Sequence, residues 1–461
     1  MHLAKPTTAG LKRTFGLISA LFISSLAMAQ ENSPYSRYGI GDIAPNQNMV
    51  NRGMGGISAG YADLQSINFI NPAALANLRN TVFDLGVSID IRNLKSNNSP
   101  EKFKSVNTFI SYLQVGFPIA SQKMQKKGNS WGVSFGLRPV TRINYKIEKN
   151  ERLPNIDSLN TIFEGNGGIT QANISTGIRI KNFSFGASTG YSFGSKDYNT
   201  RLSFTNDTVV YYKSNTATKT QFGGAFLDLG VQYEIRFNKK DSANPANSKA
   251  GVLRLGAYAK LKQNLSGKRD NIAETFSYDG SGGTYTIDTV TATVGVKGTI
   301  NIPATYGAGF TYANNHWLWG ADFEMTSWSK YRYYGQEDAV QNSYTFRVGT
   351  QYFPAKINTP AAKYWSFVKY RAGFYYGSDY IKLPGDKSRA NYAFTFGAGM
   401  PLTKIQRNYY EAARDGDVTL NAGVELGARG NKQSQSLREG LLRFNLGINM
   451  SARWFTRYKY D

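Results

Sequence analysis

The sequence predicts an all-β protein, a 14-stranded antiparallel transmembrane β-barrel with an N-terminal hatch or plug inside the lumen, on three observations. First, beyond about residue 81, apolar residues alternate strictly with polar residues or glycine. Trp131, Val133, Phe135 and Leu137, interleaved with Gly132, Ser134, Gly136 and Arg138, are the clearest case. A strand built this way has one apolar face and one polar or empty face, as a wall between lipid and a polar lumen requires. Second, the chain opens with an export signal. Third, it holds 47 Gly, 30 Tyr and 27 Phe in 461 residues at a mean hydropathy of -0.41, a composition suited to small lumen-facing residues and aromatic girdles.

The export signal occupies residues 1 to 29. Lys5, Lys12 and Arg13 precede an apolar run at 15 to 26, and Ala27, Met28 and Ala29 form a small-residue site with cleavage after Ala29. The apolar run falls short of the ~20 residues a spanning helix needs. Removing the signal takes three basic residues and no acid, which lowers the formal net charge from +23 to +20. That excess calls for an anionic neighbour such as lipopolysaccharide phosphates or acidic outer-membrane lipids. The basic residues are dispersed and no recognition motif accompanies them, so nucleic acid is not an expected partner. With no cysteine, disulfides, thiolate metal sites, Cys nucleophiles and a lipoprotein anchor are all excluded.

Residues 30 to 80 read as the hatch. The stretch 33 to 44 is turn-rich, and 51 to 78 is dominated by small residues, with Gly53, Gly55, Gly56, Ala59 and Gly60 followed by Asn71, Pro72 and Ala73. Small side chains permit close packing in a confined space, and Pro72 with Asn71 as its cap can start a short helical turn. A periplasmic tail is the alternative for this segment.

Residues 81 to 461 read as the barrel. Strand candidates lie near 81 to 94, 103 to 117, 130 to 147, 168 to 181, 182 to 205, 220 to 237, 250 to 266, 300 to 313, 315 to 331, 341 to 353, 364 to 380, 389 to 402, 416 to 429 and 439 to 455. This even count returns both ends to the periplasm. The long links at 148 to 167 and 267 to 299 fall among the outer loops, and Lys181 with Asn182 and Asn314 with Asn315 mark tight periplasmic turns. Pro118, Pro354 and Pro401 each close a descending strand. The polar face carries Asp84, Asp90, Arg92, Asp228, Glu234, Arg254, Asp322, Glu324, Arg347, Glu425 and Arg443, a mixture suited to salt bridges that hold the hatch.

No catalytic set emerges. The one histidine after the signal, His316, sits beside Trp317 and Trp319 and suits an interfacial girdle; no metal cluster or triad spacing surrounds it. Gly53, Gly55 and Gly56 lack the strand and the following Lys with Ser or Thr of a phosphate loop. No enzyme activity and no cofactor are expected. Pro139 interrupts the third strand shortly after Gly136. These two residues are the candidates for a lateral gate, because proline removes a ladder hydrogen bond and favours an inward kink; the alternative places Pro139 above the membrane.

The R-G-M-G-G at 52 to 56 and N-P-A at 71 to 73 resemble the hatch of FadL/TodX-type outer-membrane proteins. A-G-F-Y-Y at 372 to 376, F-G-A-G-M-P-L at 396 to 402 and the basic aromatic tail at 453 to 460 resemble the PorV-like branch of that family. The resemblance implies a bacterial outer-membrane barrel that passes hydrophobic ligands, such as long-chain fatty acids, with a hatch motif at Gly53, Gly55, Gly56, Asn71, Pro72 and Ala73 and a gate in the third strand. It equally allows a non-transporting scaffold or shuttle subunit in an outer-membrane secretion or protein-assembly machine. The sequence designates no ligand-binding residues.

Overall fold

The computed structural model describes residues 33–95, 102–119, 122–152, 158–205, 211–239, 249–281, 283–355, 363–382, 389–402, 417–430 and 437–452. The expected export signal at 1 to 29 and the aromatic tail at 453 to 460 lie outside them. Among the described residues sixteen long strands follow one another: β1 (Thr81–Lys95), β2 (Lys102–Pro118), β3 (Ser130–Arg152), β4 (Ser158–Ile180), β5 (Phe183–Phe204), β6 (Lys213–Lys239), β7 (Lys249–Lys260) and β8 (Gln263–Tyr278) form the first half. β9 (Thr284–Ile302), β10 (Thr305–Ala313), β11 (Trp317–Thr326), β12 (Ser343–Tyr352), β13 (Lys369–Ser378), β14 (Ala390–Pro401), β15 (Asp417–Arg429) and β16 (Arg438–Ala452) complete it.

The barrel is closed by 14 antiparallel strands. The sixteen reduce to fourteen because β7 with β8, and β9 with β10, are each one strand broken at 261–262 and 303–304. β6 pairs with β7 up to Asp228 opposite Lys260 and with β8 from Gly223 opposite Ser266. Pro303, which has no N–H to give, marks the second break. Closure is made by β16 on β1, from Arg438 opposite Lys95 to Ala452 opposite Thr81.

The alternation decides which face of each strand meets lipid. Along β16, Phe444, Ile448 and Met450 are exposed, whereas Arg443, Asn445 and Asn449 are buried. Along β1, Asp84, Ser88 and Asp90 are buried in the lumen. Lys181 takes a left-handed φ of 55° in the turn between β4 and β5, and Asn314 bonds Trp317 O in the turn before β11.

Two expectations are corrected. The link at 267 to 299 is not a loop: β8 and β9 form a hairpin from Thr284 opposite Tyr278 to Ile302 opposite Gln263. The link at 148 to 167 is mostly strand as well, since β3 and β4 stay paired out to Arg152 opposite Ser158. On β9 both faces of the extension meet water, so the two-residue apolar period fades there and Thr284 to Val294 is exposed at every position, whereas β4 buries Leu159 and Thr161. The result is lopsided. β3 to β6 run 23, 23, 22 and 27 residues against 10, 10 and 10 for β11 to β13. Since 9 to 11 residues cross a bilayer, the long side stands roughly 40 Å taller along its strands.

Candidate functional site

The lumen is the candidate site, and residues 33 to 80 run through it. A 3₁₀ turn at Pro34–Arg37 leads to a two-residue strand, Asp42–Ile43. The short helix α1 (Met49–Arg52) follows, capped by the Asn48 side chain, which accepts the Asn51 N–H at 2.8 Å. A second 3₁₀ turn, Pro72–Asn77, is capped by Asn71 as expected, its side chain accepting the Ala73 N–H.

A belt of wall glycines admits this inner segment. Gly132, Gly177, Gly186 and Gly230 stand side by side on β3 to β6, Gly256 opposes Gly309, and Gly349 opposes Gly373. A Cβ at Gly186 would lie 2.2 Å from Ala73 N, at Gly256 1.9 Å from Ala59 O, and at Gly373 2.2 Å from Gly55 N. Only hydrogen fits between the two backbones at these points. The inner segment contributes its own: Gly55 has φ +67° and presses on the Val348 and Phe374 carbonyls.

Polar contacts fasten the same segment around the circumference. Asn71 Nδ2 donates to Ala59 O at 2.7 Å and to Val231 O and Ala257 O of the wall. Asp322 accepts the Ser58 and Ala59 N–H groups, and Gly55 N donates to Thr395 Oγ1 at 2.8 Å. Arg52 meets Glu425 at 2.9 Å; Arg443 pairs with both Glu425 and Asp90. Near the top, the Asp42 carboxylate lies between Arg92 and Arg429. Burial would raise the Asp42 pKa, but the two guanidiniums outweigh it and hold the carboxyl well below the ordinary range.

A cavity of about 280 Å³ remains between inner segment and wall. Its lining includes Arg52, Arg92, Arg138, Arg347, Arg429 and Arg443 together with Asp42, Asp379, Glu324, Glu425 and Glu439. Arg347 pairs with Glu324 at 2.9 Å, Arg429 with Asp379 at 2.9 Å and Arg138 with Asp228 at 3.4 Å. Apolar groups, among them Ile40, Val140 and Ile302, contribute about half of the surface. The charged groups of the interior are paired with one another.

Pro139 marks a break in the wall. β2 and β3 pair only from Pro118 opposite Gly132 to Leu113 opposite Leu137, and β3 shifts register against β4 between Pro139 and Thr141. Beyond it the inner segment takes over the edge of β3, with Asp42 opposite Arg142, Ile43 opposite Thr141, Ala44 N donating to Val140 O, and Ser33 N to Asn144 O. Gly136 is needed where the strands still touch, since a Cβ there would sit 2.3 Å from Leu113 O.

The sequence-designated residues therefore occupy three places. Gly53, Gly55 and Gly56 face β12 to β14, Asn71, Pro72 and Ala73 face β5 and β6, and Gly136 with Pro139 lies at the break. His316 is at the strand end beside the stacked Trp317 and Trp319, its Nδ1 2.8 Å from Phe353 O. Asp42 was not singled out from the sequence; an acidic residue among turn formers gives no periodic signal.

A closed antiparallel barrel of 14 strands, occupied from within by its own N-terminal segment, defines the class, and solved barrels share this fold. The crystal structure of the P. putida toluene transporter TodX superposes with a TM-score of 0.54 at 15% identity, covering 90% of this chain and 100% of that one. That of a Pseudomonas aeruginosa FadL homologue gives 0.51 at 13% identity, covering 90% and 98%. No curated protein matches the chain. The BamG family model matches residues 11–461, and the chain belongs to the BamG family.

Proposed function

We propose that this protein is a non-conducting outer-membrane barrel that serves as a structural subunit of a larger membrane assembly, of the secretion or protein-assembly kind. The observation that carries the reading is the charged interior. An apolar solute crossing the lumen would have to displace the inner segment and strip paired guanidiniums and carboxylates of their partners, and each uncompensated buried charge costs several kcal/mol. Mild-detergent purification of the tagged protein from native outer membranes, followed by mass spectrometry, tests this. Stoichiometric partner proteins are expected; a barrel that purifies alone with bound lipid would overturn it.

Passage of hydrophobic compounds such as long-chain fatty acids is the second reading, favoured by the break between β2 and β3 at Pro139 within a FadL/TodX-type fold. In it the glycine-rich and N-P-A stretches act as a movable hatch, and ligand leaves sideways at the break. Labelled fatty acid uptake in a deletion strain and its complement separates the readings: loss and recovery of uptake support passage.

A further inference from the structure

The outer surface of the tall side carries a groove of about 940 Å³ across β5, β6, β8 and β9. Its lower row consists of Phe193 opposite Gly223, then Ser266 opposite Thr299, with Tyr191 one step below. Tyr191 and Phe193 are 54% and 42% exposed, continuous with the lipid-facing Leu227 and Leu229 on β6. The Tyr191 ring lies over Gly223, where a Cβ would meet its hydroxyl at 2.6 Å, so the aromatics form the floor of the groove.

Two residues higher, about 7 Å along the strands, Lys268 and Lys297 stand directly opposite each other, both exposed. Like charges in register across two strands repel. The nearest acids serve another row: Asp270 and Asp197 both stand opposite Lys219, and Asp270 also accepts the Gly295 N–H. Neither Lys268 nor Lys297 has an ion-pair partner among the described residues.

We propose that this groove binds a phosphorylated lipid of the outer leaflet, its acyl chain along Tyr191 and Phe193 and its phosphate between Lys268 and Lys297. The order of the rows, apolar below and doubly cationic above, matches the order of chain and headgroup in that leaflet. The occupant commits to an anchored lipid, because a free anion would have no use for the aromatic floor.

The test is native mass spectrometry of the purified full-length barrel in nonionic detergent titrated with bisphosphorylated lipid A. Saturable binding is expected, weakened roughly thirtyfold in K268Q/K297Q, as follows from removing two cations from an anionic surface, and retained in K268R/K297R. Unchanged binding by the glutamine variant, equal binding of dephosphorylated lipid A, or displacement by inorganic phosphate at the lipid's own concentration would overturn the proposal. Heat-modifiable migration of each variant verifies that it is folded.

Discussion

Gly373→Ala tests the close approach of inner segment and wall. The added Cβ would lie 2.2 Å from Gly55 N and 2.3 Å from Met54 C, both backbone atoms with no side-chain rotation to relieve the clash. The segment must retreat by more than an ångström, and overpacking of this kind costs ~1–3 kcal/mol. Retreat also breaks the 2.8 Å bond from Gly55 N to Thr395 Oγ1, worth ~0.5–1.5 kcal/mol. A loss of about 2–4 kcal/mol follows from these two sources. Urea unfolding in detergent micelles reads the loss, and limited trypsin digestion reads its location through cleavage after the buried Arg52. Gly280→Ala, where a Cβ meets nothing within 4 Å, is the control. If the two variants unfold at the same urea concentration and resist trypsin equally, the reasoning fails.

Arg52→Ala leaves Glu425 buried with Arg443 and Asn445 as its remaining partners; breaking the buried pair should cost ~3–5 kcal/mol by the same unfolding assay. Because its partners depress the Asp42 pKa, the stability Asp42 contributes is fully present above the unfolded value near pH ~4 and declines as pH falls below it. Protease protection of the inner segment should thus hold from pH 7 to 4 and weaken beneath, and Asp42→Asn should weaken it at every pH. Replacing residues 263 to 302 by an Asn-Gly turn should leave a folded barrel, since Lys260 already stands opposite Thr305 and β7 pairs with β10 over nine residues; failure to recover a heat-modifiable band would contradict the continuity of these strands.

Legibility in the sequence followed the solvent. Within lipid one face of each strand must be apolar, so the spans from 81 to 94 through 439 to 455 stand out and correspond to the fourteen crossings. Above lipid that constraint lapses, and the segment from Thr284 to Val294 disguised itself as a loop. The small residues at 51 to 60 and 71 to 76 signalled close packing because only they fit it. Partner choice stayed hidden: Asp42 bonds Arg429 across 387 residues, and nothing local encodes that distance. The two-residue strand Asp42–Ile43 on β3 was equally invisible, being too short for any period.

The glycine belt also bears on how the molecule is made. Where two backbones meet at hydrogen-only separation around most of a ring, the filler cannot be threaded through the finished ring. The inner segment precedes every barrel strand in the chain, so it is available as a former around which those strands wrap. A chain whose segment arrives late would have to open the β1–β16 seam, from Arg438 opposite Lys95 to Ala452 opposite Thr81, to become complete.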